Sequence, residues 1–454
     1  MQTSINPATG EILKEYPVHS PAEADAIVAQ AHNCFLSWRR TSFEERAKHL
    51  YKVSDVIVKH KDEYALLAAK EMGKTIKEGI AELDKCASTA KFFADNAHIF
   101  LADQHVKTEY QKSYVTFQPL GVILGVMPWN FPFWQVLRFV IPSLMAGNTC
   151  LLKHASNVPG CAMAIESIIR EAGLPEGTFR TLLIPGSRVD AIIADPRISA
   201  VTLTGSTPVG RSVAATAGKY LKKTVLELGG SDPYLILHDA DIEHAIKTCA
   251  ASRMVNCGQS CVSAKRLIVV ESLKERFEQG VKDVFSKQVM GDPTDPKTTV
   301  GPMSRADLRD EIHDQVTRTV KQGAKLVLGG TVPDTKTAFY PLTILSDVKK
   351  GMAAYEEELF GPVAIIIPAK DEEDAIRIAN DTVFGLGGAV FSTDIARAEK
   401  IARERVESGA CFVNMMVRSD ARLPFGGVKD SGYGRELSAF GIREFTNTKT
   451  IVVA

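Results

Sequence analysis

Apolar residues recur at three- and four-residue spacing through 21–38, 43–60 and 62–72, so the first hundred residues are predicted to be helical. From Thr108 the period changes to two, through Tyr110, Tyr114 and Phe117, which predicts an extended hairpin before Pro119 and Gly121. Beyond Gly121, short apolar runs at 122–127, 149–153, 181–184, 200–204 and 224–227 alternate with stretches long enough for helices at 133–146, 158–172 and 208–218. Parallel strands need such crossovers, so this region is predicted to be a doubly wound sheet with ligands beyond its carboxyl ends. A second α/β series fills 231–439, with apolar runs at 267–270, 325–328, 364–367 and 388–391. Residues 443–453 alternate again, and a terminal edge strand needs something to pair with.

At 454 residues the chain is too long for one ordinary core, which points to two large lobes. Lys plus Arg and Asp plus Glu are equal at 54 each, so no global field favours nucleic acid or a membrane surface, and charged ligands must be recognised locally. No apolar run approaches the roughly 18 residues of a membrane span, and the first fifteen residues lack a basic region followed by an apolar one. The expected location is cytoplasmic. Eight cysteines (34, 86, 150, 161, 249, 257, 261 and 411) are scattered, unlike a disulfide framework. Cys257 and Cys261 have no second Cys or His pair at matching spacing, and the histidines form no HExxH cluster, so no metal is expected.

Three segments change this picture. Gly205-Ser-Thr-Pro-Val-Gly210 follows an apolar strand and opens a helix, where backbone N–H groups can hold a pyrophosphate. With Arg211 and Ser212 it mimics a nucleoside-triphosphate P-loop, but Arg replaces the phosphate-reaching Lys, and a plain strand-to-helix turn also fits. No GxGxxG occurs, which disfavours an ordinary Rossmann dehydrogenase. Asn256-Cys-Gly-Gln-Ser-Cys261 sets a thiol in a polar stretch, as an accessible nucleophile requires, although a buried cysteine is the plainer reading of that segment alone. Glu227-Leu-Gly-Gly230 ends a strand with a carboxylate suited to general-base work.

Together with Pro128-Trp-Asn-Phe-Pro132, Glu358-Leu-Phe-Gly-Pro362 and Pro424-Phe-Gly-Gly427, these segments resemble the motifs of the aldehyde dehydrogenase superfamily, in the same order. The resemblance implies a Rossmann-type doubly wound cofactor domain at 1–106 and 120–229, an α/β catalytic domain at 230–440, and a small β oligomerisation arm at 107–119 and 441–454. It implies Cys261 as nucleophile, Asn130 with the Cys261 N–H as oxyanion hole, and Glu227 as the base that hydrolyses a thioester. Pro128, Trp129, Lys153, Gly205, Ser206, Gly210, Leu228, Glu358 and Phe360 match cofactor-site positions. Ser156 stands where NAD-preferring relatives often carry an acidic residue, so use of NAD or NADP is expected.

Arg138, Ser419 and the neighbouring Arg418 resemble the carboxylate-binding positions of succinate-semialdehyde dehydrogenases, and residues 152–157 resemble a short bacterial-type branch. That branch implies a four-carbon ω-oxo acid as substrate. Two departures stand out: Val255 replaces a second arginine found in some of these enzymes, and Ser263 replaces the second cysteine of a regulatory disulfide. An ion pair within the fold is the competing role for Arg138. Competing functions are oxidation of another aliphatic or ω-carboxy aldehyde, a coenzyme A-acylating reaction, which retention of Glu227 opposes, and a structural or binding protein that keeps the fold. A homo-oligomer, dimer or tetramer, with a small-molecule aldehyde as ligand completes the expectation.

Overall fold

The computed structural model describes residues 1–332 and 336–454. The chain opens on a hairpin, Gln2–Ile5 antiparallel to Ile12–Tyr16, within the stretch expected to be helical. Its turn is set by Gly10, whose φ of 76° lies in the left-handed region and whose N–H donates to the Asn6 carbonyl at 2.7 Å. Four helices follow: Pro21–Trp38, Phe43–Lys59, Lys61–Met72 and Ile76–Phe100. Ser20 and Ser42 form capping boxes with Glu23 and Glu45, satisfying amides that the first helical turn leaves unpaired. The 25-residue helix Ile76–Phe100 buries Leu83, Cys86, Ala90 and Phe93 in one core with Leu137, Val140 and Ile141 of helix Trp134–Ala146. Those two helices frame one wall of the site described below.

The doubly wound sheet is present. Its strands run in the order Gly432–Tyr433, Lys223–Glu227, Ile198–Thr204, Val122–Met127, Thr149–His154, Phe179–Thr181. All neighbours are parallel except the first pair. The chain enters at Val122–Met127, moves outward through two strands, then returns to Ile198–Thr204 on the other side. The switch point therefore lies beyond Met127 and Thr204, where ligands bind such sheets. The strand expected at 181–184 ends at Thr181; the Leu182 amide still donates to Leu152 at 2.7 Å, and Pro185 follows.

The second lobe holds a seven-stranded sheet, ordered Lys325–Leu328, Thr343–Ser346, Val363–Ala369, Arg266–Val270, Pro233–Ile236, Gly387–Phe391, Ala410–Val413. Only its first pair is antiparallel. Successive side chains enter different cores, Leu235, Ile268 and Ile365 on one face and Ile236, Leu267 and Ile366 on the other. Burial on both faces explains why these strands read as continuous apolar runs and not as alternation. The terminal strand Thr446–Val453 finds its partner in Lys112–Pro119, along eight residue pairs, and Gln104–His105 completes that small antiparallel sheet. Among the described residues no helix is long and apolar enough to cross a membrane.

Candidate active site

Cys261 follows a backbone with three successive positive φ values, 53° at Asn256, 54° at Cys257 and 71° at Gly258. Two of these are not glycine, so the turn is held against its preference by its bonds. The Asn256 N–H donates to Glu78 at 2.6 Å, its side-chain amide donates to the Asn130 carbonyl at 2.7 Å, and Ser304 N–H donates to the Gln259 side chain at 2.8 Å. At Gly258 a Cβ would collide with the Gly361 carbonyl, so the nucleophile loop and the 358–362 motif meet backbone to backbone. Cys257 points into the second-lobe core, where burial pushes its thiol well up, and it behaves as a packing residue.

The Cys261 thiol is half-buried, and its pKa is pushed up to about 11, chiefly by burial, against the pull of Lys265 and Arg138. It is a thiol at rest and needs a base or a bound ligand to become a thiolate. Asn130 is buried, and its amide nitrogen donates to the Gln259 carbonyl at 3.1 Å, which engages one of its two hydrogens. Glu227, at the end of its strand, is 2% exposed, and among the described residues neither of its oxygens has a hydrogen bond. Burial first, then the neighbouring Glu436, pushes its pKa well above the usual carboxylate range, while Arg138 and Arg435 pull it down.

Cys261 opens on a cavity of about 300 Å³, at the small end for ligand sites. Arg138, Arg418 and Ser419 line it, so the structure brings the nucleophile and all three sequence-derived carboxylate candidates together. They differ in what else they touch. Arg138 is 2% exposed and ion-paired with Glu436, its guanidinium lies 4.8 Å above the Phe425 ring, and it reaches Thr204 at 3.4 Å. The competing role of Arg138, an ion pair within the fold, is therefore occupied. Arg418 is exposed. Ser419 accepts a hydrogen bond of 2.7 Å from Lys85, a cavity residue that sequence reasoning passed over.

The cofactor candidates fall into separate places. Lys153 and Ser156 share a second cavity, of about 630 Å³, with Pro185 and Gly186. Lys153 has no hydrogen bond or ion pair among the described residues, and burial lowers its pKa, so its ammonium is available to a polar ligand. Gly205 precedes Ser206, the N-cap of helix Thr207–Lys219, whose hydroxyl makes no capping bond. Leu228 packs on Gly210 and holds that helix against the sheet. Trp129, which follows Pro128, meets Phe360 edge-on at 5.8 Å. Glu358 accepts from Gly230 N–H at 3.1 Å and pairs with Lys265 at 2.8 Å, and a Cβ on Gly229 would collide with it. A helix N-terminus with a free hydroxyl, an unpaired lysine and a glycine cradle beneath a carboxylate fit an adenine dinucleotide at the switch point.

Sequence reasoning missed Lys265 and Glu436 as well. Lys265, 1% exposed, donates to the carbonyls of Ser260 and Cys261 at 2.9 and 2.8 Å and so fixes the nucleophile's peptide. Glu436 lies just past the 424–427 motif, and its buried carboxylate acts on Glu227. No group of three or more His, Cys, Asp or Glu side chains among the described residues is arranged to hold a metal ion.

Two α/β lobes, one of them doubly wound, contribute to a cavity on which a cysteine thiol opens, the arrangement of an enzyme that works through a covalent intermediate. The chain belongs to the aldehyde dehydrogenase family, whose model matches residues 1–451. It is 48% identical over 451 residues to a Synechocystis protein named "Probable succinate-semialdehyde dehydrogenase [NADP(+)]", with 99% of each chain covered. Its fold superposes on a succinic semialdehyde dehydrogenase of Streptococcus pyogenes solved with NADP+, with TM-score 0.97, 39% identity and 100% of both chains covered. An NAD-dependent aldehyde dehydrogenase of Sinorhizobium meliloti matches with TM-score 0.96 and 32% identity, covering 100% of this chain and 91% of that one.

Proposed function

We propose that the protein oxidises succinate semialdehyde to succinate with NADP+ or NAD+ as acceptor. The observation that carries this is the small cavity that holds the Cys261 thiol together with a polar, cationic wall to which Lys85, Arg138, Arg418 and Ser419 contribute, a setting that suits an aldehyde bearing a carboxylate. The full-length likeness to the Synechocystis and Streptococcus proteins supports the same substrate and NADP+.

Cys261 Sγ, its proton released to solvent, attacks the aldehyde carbon, and the carbonyl oxygen becomes an alkoxide whose collapse to the thioester expels the carbon-bound hydrogen as hydride. The second amide hydrogen of Asn130 and the Cys261 N–H face that charge as a preorganised pair. The bound dinucleotide supplies the hydride acceptor; Lys153, Ser156, Gly205, Ser206, Glu358 and Phe360 would hold it. Glu227 takes the proton of the water that hydrolyses the Cys261 thioester, a role that its raised pKa suits. Retention of this base favours hydrolysis over transfer to coenzyme A.

We read residues 1–106 and 120–229 as the cofactor domain, 230–440 as the catalytic domain, and 107–119 with 441–454 as an arm for assembly into a homo-oligomer, acting in the cytoplasm. The test is a panel of aldehydes with both cofactors. Succinate semialdehyde should show the highest kcat/KM and yield succinate; absence of aldehyde-dependent cofactor reduction overturns the proposal.

A further inference from the structure

The cavity has two buried or half-buried cations besides the exposed Arg418, and they are not equivalent. Arg138 pairs with Glu436, so its charge is already compensated. Lys85 comes from helix Ile76–Phe100, reaches the cavity beside Arg138, and has no ion pair among the described residues. Its ammonium lies 4.1 Å above the Trp134 ring and donates to Ser419 Oγ at 2.7 Å. A half-buried ammonium held by a ring face and one hydroxyl lacks a counter-ion, and it has donors to spare.

The carboxylates near it are engaged elsewhere: Glu78, which also lines the cavity, accepts from the Asn256 N–H at 2.6 Å and from the Thr75 hydroxyl at 2.8 Å. Glu82, on the same helix, pairs with Lys74 and accepts from the Phe133 and Trp134 amides at 2.9 and 2.8 Å. Asp420, on the facing loop, is held by a two-pronged contact from Arg422 at 2.8 and 2.6 Å. We propose that Lys85, with Ser419, receives the distal carboxylate of the substrate and sets the preference for ω-carboxy aldehydes, while Arg138 serves the buried carboxylates behind the cavity. This rests on the substrate reading above.

The Lys85 pKa is lowered to about 8, by burial first and by Arg138 second, with Cys86, Asp420 and Glu82 acting in the opposite direction. The free enzyme therefore carries the charge below about pH 8 and loses it above, so its hold on a carboxylate should weaken as pH rises.

The test is the ratio of kcat/KM for succinate semialdehyde to that for butanal, which has the same chain length and no carboxylate. Lys85→Met keeps an unbranched stem over Trp134 and should lower the ratio about 30-fold or more. Lys85→Arg should restore much of it. In the wild-type enzyme the ratio should fall between about pH 7 and 9.5, a readout independent of whether any variant folds. A wild-type preference that survives Lys85→Met, or a ratio flat across that pH range, overturns this inference and leaves the substrate reading standing. A wild-type enzyme with no preference for the carboxylated aldehyde overturns both.

Discussion

Glu227→Gln separates the two halves of the proposed reaction, because the thioester forms before the base is needed for hydrolysis. The carboxylate is 2% exposed, has no hydrogen bond among the described residues, and shares its surroundings with Glu436 and Arg138. Gln fills the same volume but cannot accept a proton at neutral pH. Loss of a general base costs about 10²- to 10⁴-fold. At about 1.4 kcal/mol per factor of ten, that is a rise of about 3 to 5 kcal/mol in the barrier to acid release. Stopped-flow absorbance should show a burst approaching one reduced cofactor per active site, followed by a steady rate lowered by that factor. The intermediate should be visible by intact mass as succinate esterified to Cys261.

The same substitution carries a stability prediction of opposite sign. A carboxyl whose folded pKa is raised keeps its proton when the unfolded chain has released it, so folding is penalised as pH climbs from about 4.5 towards the folded value. Above that value the penalty is complete. Gln has no such proton, so at pH 8 the variant should melt at or above the wild-type temperature while turning over far more slowly. Loss of the burst would move Glu227 to thiol deprotonation. A steady rate within threefold of wild type, or a marked fall in Tm, would refute the assignment as a buried base.

Cys261→Ala should abolish aldehyde oxidation yet leave cofactor affinity, read by fluorescence quenching, nearly unchanged, since the thiol opens on the substrate cavity and not on the one holding Lys153. Ser156→Glu should weaken NADP+ far more than NAD+ in the same titration, because a carboxylate beside Lys153 would meet a 2′-phosphate; equal losses would remove Ser156 from that pocket.

The doubly wound sheet was readable because each strand is a short apolar run followed by a crossover of helical length, and the motifs fall at its carboxyl ends. The opening hairpin was not, because Gln2–Ile5 buries the polar Gln2 and Ser4 while Ile12–Tyr16 leaves Ile12 and Leu13 exposed, so neither strand shows apolar alternation and the turn Pro7-Ala-Thr-Gly10 was the available signal. Cys261, Glu227 and Asn130 stood out through the residues beside them in the chain. Lys85 has no such local mark: on a helix surface a lysine reads as solvated, and what gives it meaning is Ser419, 334 residues further on. Glu436 and Lys265 were hidden likewise, since a buried charge is recognised by what surrounds it and not by its neighbours in sequence.

Arg138 shows why spacing identified the cavity but not the division of labour within it. Glu227 and Glu436 are two buried carboxylates acting on each other, and Arg138 lowers the pKa of both. Breaking a buried pair leaves an uncompensated charge, at a cost of about 3 to 5 kcal/mol. A substrate carboxylate that drew Arg138 away would incur part of that cost and would leave Glu227 beside Glu436 with less opposing charge. The Glu227 pKa would then rise further, and at a given pH less of the base would be ionised when the thioester awaits water. A separate cation for the substrate avoids this conflict. Lys85 approaches from another helix and rests on Trp134, so it can meet the substrate while Arg138 keeps its place beside Glu436 and Glu227.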